Sequence, residues 1–221
     1  LVVRALALQP LKRLLQRLSN MPYEYRKLSP EERKEVVEGR KQQGYPAHSP
    51  PHPLREEGTY LITAANYEHK HILENPTRRT AFEMLLIKSF QEVSAEIIAW
   101  VILTNHYHLL LNIESFEIIS DILQYIHGST SHQWNKEDGQ TGKRKVWYRF
   151  SDRMIRNEKH LQRTLNYVHY NPVKHGLVED VYAWKWSSLF LYEDEKGKTW
   201  LQENWKKYKP SSHFGKDWDD L

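Results

Sequence analysis

Glu96-Ile97-Ile98-Ala99-Trp100-Val101-Ile102-Leu103-Thr104-Asn105-His106-Tyr107-His108-Leu109-Leu110-Leu111-Asn112-Ile113 is the stretch on which the fold turns. Its first eight residues are nearly continuous in apolar side chains, which predicts a strand buried on both faces and central in its sheet. Thr104-Asn105 is a two-residue break, the length of a hairpin turn, so His106 to Ile113 returns as an antiparallel strand. Alternate residues of a strand share a face, so His106 and His108 point the same way and both imidazoles can hold one metal ion. Two half-buried sheet histidines give the same pattern, and the pair alone does not choose between these readings.

Working outward, Gly58 and Asn66 bound the β-prone run Thr59-Tyr60-Leu61-Ile62-Thr63-Ala64-Ala65, the expected first strand. Asn75-Pro76-Thr77 opens a helix in which Phe82, Leu85, Leu86, Ser89, Phe90 and Val93 recur at helical spacing. Ser115 to Trp134 reads as a second long helix, with Ile118, Ile119, Ile122, Leu123 and Ile126, packed on the same sheet face as the first. Lys136 to Lys145 is a polar, glycine-bearing loop ending in Lys143-Arg144-Lys145, either a solvated loop or a contact for phosphates. Val146 to Ile155 is the expected fourth strand and Asn157 to Tyr170 a third helix. Strand, helix, strand, strand, helix, strand, helix is an α+β layout: a ferredoxin-like antiparallel sheet with helices packed on one face and one added helix.

Three regions are expected: an N-terminal extension over 1–57, a core over 58–192, and a polar, Trp-containing tail over 193–221. In the extension, Ser29-Pro30-Glu31-Glu32 carries an N-cap, a first-turn proline and acids at the positive end of a short charged helix. Gly44 to Pro53 holds four prolines and reads as a linker, where His48 and His52 are solvated surface residues. Residues 1–20 interleave Arg4, Lys12, Arg13 and Arg17 with apolar residues and do not read as a signal peptide.

The 221 residues contain no cysteine, which excludes disulfides, thiolate metal sites and a cysteine nucleophile. A net charge of +4 favours an acidic partner without demanding one. No run reaches the roughly 18 apolar residues of a membrane span. A cytoplasmic protein with no membrane partner is expected.

Tyr167 and Asn171 are four residues apart, so on a helix they lie one turn from each other on one face. Pro172 disfavours helix at Asn171 and Gly176 follows, so this turn should end the helix, where the carbonyl dipoles favour a cation. One residue can attack while the other positions a metal. A packed tyrosine and a helix-stop asparagine are the plainer readings of each residue alone.

Taken together, Asn105-His106-Tyr107-His108, Val146-Trp147-Tyr148-Arg149-Phe150 with Asp152 and Ile155-Arg156-Asn157, Tyr167-Val168-His169-Tyr170-Asn171-Pro172-Val173-Lys174-His175-Gly176-Leu177-Val178, and Trp184-Lys185-Trp186-Ser187-Ser188 resemble the single-tyrosine HUH transposases. The resemblance is closest to their REP-associated tyrosine transposase branch and runs from Gly58 to Tyr192. It implies that His106 and His108 are the metal-binding pair, that Tyr167 on a C-terminal helix is the nucleophile, and that Asn171 stands where relatives carry a third, glutamine ligand. It implies a metal-dependent single-stranded DNA endonuclease and strand transferase acting at hairpin-forming repeats, with Mg2+ or Mn2+ as cofactor. The product would be a 5′-phosphotyrosine and a free 3′ hydroxyl, from a monomer or a homodimer. Lys143, Arg144, Lys145, Arg149, Arg153 and Arg156 flank this site as candidate DNA contacts, and Tyr148, Trp147 or Trp186 as base-stacking residues. A ferredoxin-like module that binds nucleic acid without cutting it is the competing reading.

Overall fold

Four strands form one antiparallel sheet in the computed structural model: β1 (Gly58–Ala65), β2 (Glu96–Ile102), β3 (His106–Ile113) and β4 (Ser151–Met154), in the order β2-β3-β1-β4. The helices are α1 (Pro30–Gln42), α2 (Pro76–Gln91), α3 (Phe116–Glu137), α4 (Glu158–Lys174) and α5 (Leu189–Lys207). The structure describes residues 29–42, 57–93, 95–140, 144–211 and 214. The expected linker with His48 and His52, residues 1–20 and Lys143 lie outside them.

The chain divides into a unit over 1–56 and a unit over 57–221. In the first, α1 begins with a reciprocal cap: Ser29 N–H donates to Glu32 Oε2 at 2.8 Å, and Glu32 N–H donates to Ser29 Oγ at 3.2 Å. No described helix is long and apolar enough to cross a membrane.

In the second unit, the hairpin closes with Leu103 N–H donating to His106 O at 2.8 Å. β3 pairs on its other side with β1, which sets Thr63 opposite His108 and Ala65 opposite His106. The strand pleat then sorts β3 into two faces. Tyr107 meets Phe82 of α2 and His127 of α3, whereas His108 meets Tyr167 of α4. Helices α2 and α3 therefore cover one face, as their apolar spacing predicts, and α4 covers the other.

The core under α2 and α3 is aromatic. Phe82 lies 5.2 Å from the Tyr107 ring, 5.8 Å from Trp134 and 5.2 Å from Trp147, centroid to centroid. Burial keeps His127 neutral, its pKa pushed down to about 3, and its Nε2 shares a hydrogen bond of 2.9 Å with the Tyr107 hydroxyl. Phe82→Ala should lower the unfolding free energy by about 3–5 kcal/mol, read by urea denaturation, because a fully buried ring is removed from three aromatic neighbours.

Three elements depart from the sequence-based expectation. First, β2 is an edge strand and not central. Its apolar run reflects burial beneath α2 on one face and α4 on the other, and its free edge is capped by a later segment. Ile102 N–H donates to Trp186 O at 2.9 Å and Ser188 N–H to Trp100 O at 3.0 Å. A covered edge tolerates the same sequence as a central strand. Second, the expected strand over 146–155 is regular only at Ser151–Met154. Thr63 pairs with Ser151 and Asn66 with Trp147, so three steps on one strand face four on the other. One extra residue between Trp147 and Ser151 breaks the ladder as a bulge.

Third, α4 continues past Tyr170 through Pro172 to Lys174. Proline deletes one donor, but the last turn is closed without it: Gly176, at φ +65°, donates to Val173 O at 3.0 Å, and Leu177 N–H donates to Pro172 O at 2.9 Å. This is a glycine-terminated Schellman cap. Helix α5 runs from Leu189 to Lys207 and docks on α4 through a pair of amide hydrogen bonds. Asn204 Nδ2 donates to Asn166 Oδ1 at 3.1 Å and Asn166 Nδ2 to Asn204 O at 3.0 Å.

Candidate active site

Two adjacent positions of the hairpin fix the imidazoles. Asn105 Oδ1 can only accept, so His106 Nδ1, 2.8 Å away, carries the proton and Nε2 keeps its lone pair. The amide is itself oriented, because Asn105 Nδ2 donates to His69 O at 3.1 Å. The Thr63 hydroxyl holds His108 Nδ1 at 2.7 Å, leaving Nε2 as the other nitrogen of that ring. Both imidazoles are buried, and their rings lie edge to face with centroids 5.0 Å apart.

Helix α4 brings the remaining groups. His160, Thr164, Tyr167 and Asn171 recur at steps of four, three and four and so share one face. Tyr167 lies 5.4 Å from the His108 ring, and the buried Asn171 is one turn further along. The cap residue His175 comes within 5.2 Å of the His106 ring. Burial first, then the neighbouring His106 and Lys174, push the His175 pKa down to about 2, which keeps it neutral. Lys174 Nζ stands 5.3 Å over the Tyr167 ring and Phe214 packs on that ring at 4.9 Å. Tyr170, the other tyrosine of the turn, faces away and rests on Trp205 at 4.5 Å.

A family model described as transposase IS200 like matches residues 58–171, half of the chain. The chain belongs to the IS200-like transposases. A Haemophilus influenzae relative assigned to the REP-associated tyrosine transposases is 34% identical over 119 residues, 50% of this chain and 66% of the relative. The REP-associated tyrosine transposase of Escherichia coli K12 is 32% identical over 115 residues, again 50% of this chain and 66% of the relative. The chain thus spans just under two thirds of the length of these curated relatives. A solved structure described as a REP-associated tyrosine transposase bound to a REP hairpin matches with TM-score 0.53 and 26% identity, over 66% of this chain and 86% of the other. The α+β sheet fold is common to both.

In this IS200-like transposase the candidate base-stacking residues separate. Trp147 is buried and donates from Nε1 to Thr130 Oγ1 at 3.0 Å. Trp186 is buried, with Arg79 4.0 Å over its ring and its Nε1 donating to Thr80 Oγ1 at 2.9 Å. Tyr148 alone of the three is half exposed. The basic residues separate as well. Arg144 is held by Asp138 at 2.7 Å and Asn135 at 2.9 Å, whereas Lys145, Arg149 and Arg156 are exposed. Burial and then the charges of Arg153, Arg156 and Arg163 lower the His160 pKa, which places these three arginines close to the start of α4.

The motif block ending in Trp184-Lys185-Trp186-Ser187-Ser188 is structural. Trp184 Nε1 donates to Ile102 O at 3.0 Å, and Ser188 Oγ receives Trp100 N–H and faces His169 Nε2 at 2.9 Å. These bonds tie α4 to β2 and so hold Tyr167 against the histidine strand.

Among the described residues no group of three or more His, Cys, Asp or Glu side chains is arranged to hold a metal ion. The donor chemistry of two imidazoles and one amide nevertheless fits a divalent cation with open positions. Asn105 and Thr63 engage the Nδ1 atoms of His106 and His108, so in each ring Nε2 is the nitrogen left to face a cation. Asn105 was read only as part of the hairpin break, and Thr63, Lys174 and His175 had no sequence-based role at the site. Asn105 immediately precedes the pair, and His175 continues the four-residue steps from Tyr167 and Asn171, so spacing carried the signal for those two. Thr63 and Lys174 follow only from cross-strand register and the helix cap.

Proposed function

We propose that the chain cleaves and rejoins single-stranded DNA at hairpin-forming repeats, with Tyr167 as nucleophile. The observation that carries this reading is the approach of the Tyr167 ring to His108, 5.4 Å between centroids, from helix and strand of a single chain. One chain can therefore supply both halves of the proposed site. Phosphoryl transfer needs the attacking oxygen held close to the group that activates the phosphate.

His106 and His108 would hold Mg2+ or Mn2+ through Nε2, with Asn171 as a third ligand. Such an ion polarises the scissile phosphate and offsets the charge that builds on its oxygens. The Tyr167 oxygen forms the new bond to phosphorus as the bond from phosphorus to the 3′ oxygen breaks. The phenolic proton is released, and the departing 3′ oxygen takes up a proton to become a free hydroxyl. Lys174, above the Tyr167 ring, favours the phenolate by its charge. The phosphotyrosine retains a phosphoester of similar kind, so a second 3′ hydroxyl can reverse the attack and no nucleotide cofactor is needed. The basic residues Lys145, Arg149, Arg153 and Arg156 give the strand a path of opposite charge.

The test is incubation of the chain with hairpin oligonucleotides in Mg2+ or Mn2+, followed by a denaturing gel. A covalent protein–DNA band supports the proposal, and binding without cleavage in either ion refutes it. The orienting role of Asn105 has its own prediction. Asn105→Ala should weaken Mn2+ binding, followed by electron paramagnetic resonance, about 10–100-fold, as loss of an outer hydrogen-bond partner of a ligand does.

A further inference from the structure

Beside the histidine pair the chain builds a half-exposed aromatic platform that the chemistry above does not use. Tyr67 and Tyr148 pack at 4.9 Å with rings tilted by 48°, and His69 lies 5.8 Å from Tyr148. Lys145 Nζ stands 4.7 Å from the Tyr67 ring centre and 5.6 Å from that of Tyr148. The two tyrosines are fixed by their backbones: Tyr67 N–H donates to Val146 O at 2.8 Å and Tyr148 N–H to Ala65 O at 2.9 Å.

The face of the sheet is set by the neighbours. Trp147 enters the core under α2 and α3, so Tyr148, next in sequence, emerges on the opposite face, the one that carries His106 and His108. The extra residue of the bulge lies between Trp147 and Ser151, and bulges beside sites re-aim side chains in this way. A second observation is independent of the rings. Glu68 and His69 are consecutive non-glycine residues at φ +56° and +52°, a left-handed conformation that is unfavourable for both. That turn carries Tyr67 on one side and, through His69 O, holds Asn105 on the other. The platform and the His106 support are thus one piece of backbone.

We propose that Tyr67 and Tyr148 form a binding subsite for one unpaired nucleobase of the DNA strand, next to the scissile phosphate. The inference rests on the DNA-transfer function proposed above. Aromatic faces accept any base by stacking, and stacking of a base exceeds the attraction of an exposed ammonium for the same ring. An arriving base therefore displaces Lys145 from the ring faces, and the ammonium remains within reach of that nucleotide's phosphate. The backbone around the platform offers the register: a base held here fixes which phosphate reaches Tyr167.

The experiment uses the full chain and a DNA hairpin with single-stranded flanks on both sides. A single abasic site, and separately a single 2-aminopurine, is moved through the flanks one nucleotide at a time. The expected result is one position at which the abasic lesion weakens binding roughly tenfold and 2-aminopurine fluorescence is quenched on binding. In the Tyr67→Leu/Tyr148→Leu double variant both signals at that position should vanish, while binding of the hairpin stem persists. Tyr67→Phe/Tyr148→Phe should restore them, which a loss of folding would not allow. Abasic penalties and quenching that are the same in the leucine variant and the unmodified chain overturn the subsite and leave the DNA-transfer proposal standing. An unmodified chain that binds no hairpin oligonucleotide overturns both.

Discussion

Tyr167→Phe leaves hairpin binding essentially unchanged and yields no covalent protein–DNA adduct, with strand cleavage down by about 10⁴-fold or more. The substitution removes a single oxygen. The ring keeps its contacts with His108 at 5.4 Å and Phe214 at 4.9 Å, so the helix and the histidine strand stay in register. Any loss is then a loss of the nucleophile and not of packing. Tyr170→Phe is the matched control: its ring lies against Trp205 on the far side of α4, and cleavage should continue at the normal rate. Cleavage that survives Tyr167→Phe with an adduct still formed would assign the chemistry to another residue.

The second large effect is on the ion. EDTA should abolish cleavage, and Mg2+ or Mn2+ added in excess should restore it. His106→Ala should lower cleavage about 10²–10³-fold, the range seen when one preorganised group is removed from a charge-stabilising site. Manganese binding should weaken in parallel, while the hairpin is still bound through basic residues remote from the pair. Because His106 is buried, circular dichroism of the variant must match the parent before the rates are compared. Full cleavage in EDTA would remove the ion from the mechanism.

How much of this was legible in the sequence depended on whether the information was local. The hairpin was, because a continuous apolar run, a two-residue break and a second run admit few other structures. The start of α2 at Asn75-Pro76-Thr77 was legible for the same reason, and the structure adds that the Asn75 side chain caps it by accepting from Thr77 and Arg78 N–H. The edge position of β2 was not, because burial on two faces reads the same whether the free edge is covered by a strand or by Trp186 and Ser188, more than eighty residues later. The persistence of α4 through Pro172 was also hidden. Proline removes one donor locally without stopping the helix, and it is the cap at Gly176 and Leu177, one turn later, that ends it.

The site divides along the same line. His106 and His108 were visible from strand alternation, and Tyr167 with Asn171 from helical spacing, but their approach to each other is tertiary. It depends on His169 and Ser188 fastening α4 to β2, contacts that no spacing encodes. Trp147 was a candidate for stacking on a base because it sits beside Tyr148 in a motif. The pleat sends the two in opposite directions, one into the core and one to the surface. Arg144 looked like its neighbour Lys145, but it is bound to Asp138 at the end of α3.

The measurement that bears most directly on the central claim is mass spectrometry of the trapped intermediate. The chain is incubated with a hairpin oligonucleotide, digested with protease and nuclease, and the nucleotide-bearing peptide is sequenced. The account predicts one modified peptide, with a 5′-linked nucleotide on the Tyr167 oxygen and a free 3′ hydroxyl on the released strand. A nucleotide on Tyr170 or any other residue, or cleaved DNA with no protein-linked product, would contradict it.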